Sequence, residues 1–287
     1  MSLARTRRTR PFAALVVAFG AIAGLSHLYA PTPPPADPPA PVVTSPVAAA
    51  PRPVPPKKAA KPPAGLKTIT YVQVPGGFPA DPEPAATAFV AGALHAPRRL
   101  ALYDAPGGTP RAYLPPSIRG VPVTVPIVAR RPGWVAVLLP SVNRRIGWLP
   151  DHGWEARTLR DQLVLSRSTH ELTWLRDGVR RESWTVATGA ARTPTPLGRT
   201  FVLGRTGTRG EVYAGLDALV LGAVPDDRGA VAPGLQDAHT GIHAWYRGSV
   251  FGRSVSNGCI RLPAAAQRTL LDHIGPGTVV SVVDRAA

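Results

Sequence analysis

Ser256-Asn257-Gly258-Cys259-Ile260-Arg261-Leu262 is the stretch on which the reading of this 287-residue chain turns. Cys259 is its only cysteine. A single thiol has no intrachain disulfide partner, and it is open to oxidation wherever it reaches the surface. Taken alone, such a residue is most often a small core side chain. Its neighbours argue for chemistry instead. Gly258 permits close backbone approach, Arg261 carries a planar fork of donors, and His243 lies 16 positions upstream in Gly241-Ile242-His243.

A thiol attacks a carbonyl well only as the thiolate, so it needs a base or a positive potential beside it. His243 fits the base: imidazole takes the thiol proton and later returns it to a leaving amine. The amides of Gly258 and Cys259 are expected to face the developing oxyanion, at about 3 kcal/mol per donor. Arg261 has two readings, a fork for a substrate carboxylate or a structural ion pair under the site. Ser256 is expected to fix the turn or to hydrogen-bond the base. His239, His243 and Cys259 would hold zinc only if the two histidines shared a helix face. Thr240-Gly241-Ile242 is a poor helix, so no metal site is expected and His239 reads as a surface loop residue. No nucleotide or redox cofactor signature is present.

Outward from this run the sequence reads as β structure with one helix. Residues 163–165, 172–175 and 184–187 form short apolar strands, and Asp177-Gly178 is a strong hairpin signal. Thr193-Pro194-Thr195-Pro196-Leu197-Gly198 is too proline-dense for a central strand and forms a rigid loop before a strand at 200–203. Pro263 opens a helix with Ala266, Leu270 and Ile274 at helical spacing, Gly275-Pro276-Gly277 stops it, and residues 279–283 are the last strand. Between about 96 and 155, Val121, Val123, Val125 and Ile127 alternate with period two. Gly/Pro turns separate four or five short strands, predicting a small barrel with Trp134 and Trp148 as core aromatics.

The N-terminus has a targeting pattern: Arg5, Arg7, Arg8 and Arg10, then an apolar run from residue 12 to 25. Both a cleaved signal peptide and an uncleaved inner-membrane anchor over residues 11–30 fit it. Residues 31–65 hold 14 prolines and read as an extended spacer. The net charge is +16, but residues 1–67 hold nine Lys+Arg against one Asp. In an exported chain without arginine–aromatic clustering this favours an anionic wall polymer over nucleic acid.

With these landmarks in place, the chain resembles the catalytic domain of the L,D-transpeptidases, the YkuD family, over roughly residues 160 to 285. The Asp177-Gly178 hairpin, the 193–198 loop, Ile242-His243 and the Ser256–Leu262 run occur in family order. The middle, with Gly133-Trp134 and Gly147-Trp148-Leu149, resembles bacterial SH3-like modules of cell-wall enzymes. The implied fold is mainly β, an L,D-transpeptidase-type β-sandwich with one C-terminal-side helix after a small SH3-like β-barrel. The implied layout is a leader at 1–30, a spacer at 31–85, the SH3-like module at 86–158 and the catalytic domain at 159–287.

The resemblance implies further that Cys259 is acylated by a peptidoglycan stem tetrapeptide with loss of D-alanine. The acyl group then passes to an amine of a second stem peptide. Carbapenem-type inhibitors would acylate the same thiol. The carbonyl of Ala244 would orient His243, and the 194–198 loop and Tyr213 would wall the cleft. Asn257 stands where the family often has histidine, and Ala244 where it often has glycine, so both are expected near the substrate, Ala244 narrowing the acceptor entrance. Ser256 and Arg261 complete the expected binding set. The protein would work in the periplasm or cell wall. An L,D-carboxypeptidase or cross-link hydrolase on the same scaffold and a non-catalytic wall-binding protein are the alternative readings.

Overall fold

The structure, a computed structural model, describes residues 55–207 and 210–285. The leader and the first part of the spacer lie outside the described residues. Among those described, no helix is long and apolar enough to cross a membrane.

Nine strands come first: β1 (Gly92–His95), β2 (Leu100–Tyr103), β3 (Pro110–Leu114), β4 (Ser117–Ile118), β5 (Val121–Pro122), β6 (Thr124–Arg131), β7 (Trp134–Leu138), β8 (Ile146–Pro150) and β9 (Glu155–Thr158). Seven of them form an antiparallel sheet in the order β3-β2-β8-β7-β6-β1-β9. β4 and β5 pair as a separate hairpin whose two turn residues, Arg119 and Gly120, have φ of 51° and 78°. That left-handed pair matches the twist of a two-residue hairpin. Trp134 is buried in this half and Trp148 packs against its core, as expected of core aromatics.

The second half contains β10 (Asp161–Ser166), β11 (Glu171–Arg176), β12 (Val179–Thr185), β13 (Thr188–Gly189), β14 (Gly198–Thr206), β15 (Ala218–Leu221), β16 (Gly241–Ala244), β17 (Ser254–Ser256), β18 (Ile260–Leu262), the helix α1 (Ala264–His273) and β19 (Val279–Val283). Eight of these strands form one sheet in the order β12-β11-β10-β19-β14-β15-β16-β18. Asp177 and Gly178 have φ of 52° and 77°, so the hairpin read from the sequence is there. α1 buries Ala266 and Leu270 against Ile242, Ile260 and Leu262, on one face of this sheet.

β14 joins the two halves by simple alternation. Val202 points into the core under α1, while Phe201 and Leu203 point into the core of the first sheet. Gly204 lets the layers approach, because a Cβ there would lie 3.0 Å from a methyl of Val121. The result is a mainly β sandwich with a single α-helix among the described residues.

One expectation is corrected. The spacer was expected to run to residue 85, yet residues 57–85 form a strap bound across the fold. Trp134 Nε1 donates to the carbonyl of Lys57 at 2.8 Å, and the Tyr103 hydroxyl donates to that of Ala60 at 2.7 Å. Ile69 and Phe78 are buried in the first core. Asp81, with a fully buried side chain, takes a bidentate pair from Arg199 on β14 at 2.9 and 2.5 Å. Prolines suit this path, since a strap that meets its neighbours only at isolated bridges, at Thr68 and Ala80, needs few amide donors.

Candidate active site

The site forms where β16 and β18 lie side by side. They are parallel, so the chain must cross over between them, and residues 245–259 make that crossover through β17. The register pairs Ile242 with Ile260 and His243 with Arg261. Ile242, Ala244, Ile260 and Leu262, all fully buried, face the core. Alternation turns Gly241, His243 and Arg261 to the other face, and Cys259, two before Arg261, joins them. A Cβ on Gly241 would lie 4.0 Å from the Cys259 sulfur, so glycine keeps that flank of the thiol clear.

His243 and Cys259 line one cavity of about 460 Å³. Tyr213, in a short 3-10 turn, also lines it and meets the His243 ring edge-to-face at 4.8 Å. His243 Nδ1 lies 2.8 Å from the carbonyl of Ala244. A carbonyl only accepts, so Nδ1 carries the proton of the neutral ring and Nε2 keeps its lone pair. Burial pushes the His243 pKa down to about 4, against the pull of the Ala244 carbonyl, and the charge of Arg261 lowers it further. Burial raises the Cys259 pKa, while the Gly241 amide and Arg261 draw it back. Part of Cys259 stays accessible, so the thiol is surrounded by protein and still open to the cavity. The resting pair is therefore neutral thiol and neutral imidazole.

The loop carrying Cys259 is braced from behind. The Ser256 hydroxyl donates to the Cys259 carbonyl at 2.5 Å and accepts the Gly258 amide at 3.1 Å. Thr195 Oγ1 donates to the Gly258 carbonyl, and Thr193 Oγ1 to that of Ser256. Gly258 has a φ of 105°, a conformation that favours glycine.

This bracing corrects several expectations. The Gly258 amide is engaged by Ser256 and does not face a developing oxyanion. The 194–198 loop supports the cysteine turn and is absent from the cavity wall. Ala244 is fully buried with its methyl toward the core, so it narrows no entrance, although its carbonyl does orient His243. Asn257 is exposed at the loop tip. Arg261 stacks over Trp245, its guanidinium carbon 3.7 Å from the ring centroid. It has no ion pair among the described residues, so the structural ion pair is not found.

His239 is a further correction. It is buried, its Nδ1 2.5 Å from the Leu221 carbonyl and its Nε2 2.6 Å from the Tyr71 carbonyl. Its ring stacks on Tyr71 at 4.1 Å, and Arg119 caps the other face of Tyr71 at 3.9 Å. Tyr71 and Arg119 both line the cavity, so the strap and the β4–β5 hairpin supply the wall facing the thiol. No sequence pattern announces that wall: Tyr71 and His239 are 168 positions apart. No cluster of three metal-ligating side chains occurs among the described residues.

Comparison with known proteins gives a family match over the second half of the chain. The family model of the L,D-transpeptidase catalytic domain, YkuD, matches residues 160–282, which is the second sheet with its helix. No curated protein matches the chain. Similar solved structures include L,D-transpeptidase 3 from Mycobacterium tuberculosis with a faropenem-derived adduct, at 17% identity over 49% of this chain and 74% of that one, TM-score 0.35. An L,D-transpeptidase from Mycobacterium smegmatis has 18% identity over 49% and 74%, TM-score 0.34. The catalytic domain of the E. faecium L,D-transpeptidase has 20% identity over 43% and 96%, TM-score 0.31.

Proposed function

We propose that this protein is a peptidoglycan L,D-transpeptidase with Cys259 as nucleophile and His243 as base. The supporting observation is that the only thiol in the chain shares a cavity with an imidazole whose Nδ1–H is held by Ala244, leaving Nε2 to accept a proton. In the forward step the Cys259 sulfur adds to the carbonyl carbon after the third residue of a stem tetrapeptide, and its proton passes to His243. The tetrahedral intermediate collapses with cleavage of the C–N bond, and the departing D-alanine amine takes the proton from His243. An amine of a second stem peptide then attacks the thioester, gives its proton to His243 and displaces the thiol. That both groups line one cavity supports their acting as a pair, each step needing them close together.

Arg261, whose Nε is buried without a protein partner, would meet a substrate carboxylate through its terminal guanidinium nitrogens. Its positive charge also favours the thiolate as it forms. Acting on wall peptides requires export, so the protein would work in the periplasm or cell wall. Carbapenems, which present a strained carbonyl in place of the peptide, would acylate Cys259.

The test is intact mass after incubation of the full-length protein with a carbapenem. One adduct on the wild type and none on Cys259→Ala is expected; an equal adduct on the variant would sink the mechanism. Incubation with muropeptides then distinguishes amine from water as acceptor. Cross-linked dimers are the expected product, and trimmed monomers alone would make the protein a hydrolase.

A further inference from the structure

Three buried side-chain polar atoms among the described residues have no protein hydrogen-bond partner: Arg261 Nε, Gln267 Oε1 and Thr240 Oγ1. A buried unpaired hydroxyl is costly, and native folds leave few. Thr240 is 3% exposed, and its backbone is fully used. Its amide donates to the Ala223 carbonyl, and its carbonyl accepts from Leu221, both at 2.9 Å. Only the hydroxyl is left over.

That hydroxyl belongs to a residue on the wall of the cavity that holds the nucleophile. Thr240 lines the same cavity as Cys259 and His243. Its Oγ1 would be 4.0 Å from a Cβ built on Gly258, the residue before the thiol. The next residue, Gly241, flanks the Cys259 sulfur. Meanwhile Ser256 holds the Gly258 amide, so one of the two backbone donors expected for an oxyanion is spent.

We infer that the Thr240 hydroxyl is a catalytic hydrogen-bond donor to the oxyanion formed when Cys259 attacks. The inference rests on the reading of Cys259 as an acylated nucleophile. As the C–S bond forms, the π pair of the carbonyl moves onto oxygen, and the Thr240 O–H donates to it. Collapse restores the C=O bond, expels the leaving group with the proton held by His243, and leaves the hydroxyl unchanged. The hydroxyl is desolvated in the resting enzyme and finds its partner as charge develops, which is how preorganised donors favour a transition state over a ground state.

The test uses the full chain with Thr240→Val, which keeps shape and removes the hydroxyl, and Thr240→Ser, which keeps the hydroxyl. The rate of Cys259 acylation by a carbapenem is followed by stopped-flow and intact mass, and Tm by calorimetry. Thr240→Val is expected to acylate roughly 10²- to 10³-fold more slowly, the usual loss for one oxyanion donor. Its Tm should be equal or higher, because an unpaired buried hydroxyl is gone. Thr240→Ser should stay within a few-fold of the wild type. In the acyl-enzyme, the thioester carbonyl band should shift to higher wavenumber in Thr240→Val, a change that a packing role would not produce. Equal rates for wild type and Thr240→Val, or an equal loss in Thr240→Ser, would overturn the role of the hydroxyl alone. No adduct on the wild type would remove the reading of Cys259, and this role with it.

Discussion

Two buried histidines, His243 and His239, line the cavity, and the two rings are held differently. His243 is 6% exposed and His239 8%, so burial does not separate them. Hydrogen bonding does. One nitrogen of His243 is committed to a carbonyl and the other is left to the cavity, whereas the nitrogens of His239 face two carbonyls, that of Leu221 on β15 and that of Tyr71 in the strap. A ring with one nitrogen left to the cavity can move a proton; a ring with a carbonyl against each nitrogen has none to spare for the cavity. Chemistry at this site therefore depends on what each residue has left unpaired.

Substituting the two histidines tests that contrast most directly. His243→Gln should slow carbapenem acylation by about 10²- to 10⁴-fold, the usual worth of a positioned base, as measured by stopped-flow. His239→Gln should stay within a few-fold in the same assay and lose stability by about 1–2 kcal/mol in denaturant unfolding. Equal rate losses in the two variants would break the comparison.

At the strap end the largest stability effect belongs to Asp81. Removing its carboxylate leaves the buried Arg199 only the exposed Glu83 carboxylate, 3.9 Å away, so Asp81→Ala should cost about 3 kcal/mol in urea unfolding. A second effect follows from pH. His243 titrates near pH 4 in the fold and near 6.5 when unfolded. Between those values the unfolded chain binds the proton and the fold does not, so stability falls as pH drops from about 6.5 toward 4, by on the order of 3 kcal/mol in full. Unfolding at pH 7.5 and 4.5 should show this loss, reduced in His243→Gln. His239, whose pKa burial also lowers, keeps a slope of the same sign. The rate of acylation should likewise keep its acid limb near pH 4, where His243 gains its proton. At the bottom of the scale stands Arg160→Ala, on the exposed hairpin pair with Asp177, which should leave Tm unchanged.

What the sequence disclosed follows from the range of the forces involved. The Asp177-Gly178 turn and the stop after α1 are set by residues a few positions apart, and both are in the structure, whereas the alternating run from Val121 to Ile127 is divided between β5 and β6. That Cys259 and His243 come to one cavity was legible because a crossover between strands fits their 16-residue spacing. The wall opposite was hidden. Ile69, Tyr71 and Phe78 are single apolar residues among prolines, with no periodicity to mark them as core. Their partners lie far along the chain, as Asp81 and Arg199 do at 118 positions. Thr240 carries no motif, and its unpaired hydroxyl appears only once every neighbour is placed. The fate of the Gly258 amide was equally invisible, because Ser256 was legible as a turn residue but not as the acceptor of that one donor.

The strap also decides where this protein can be cut. Its sequence changes character near residues 85 and 159, which invites dissection there. A fragment starting at 159 would present Phe201 and Leu203 to water, leave Arg199 without its counter-charge and open the cavity on the side of Tyr71 and Arg119. A fragment starting at 86 would keep both sheets but lose Asp81 and the ring that stacks on His239. The smallest piece that keeps the cleft whole therefore begins before Tyr71, and one that keeps the strap's bond to Trp134 begins before Lys57, inside the stretch that composition alone would discard as linker.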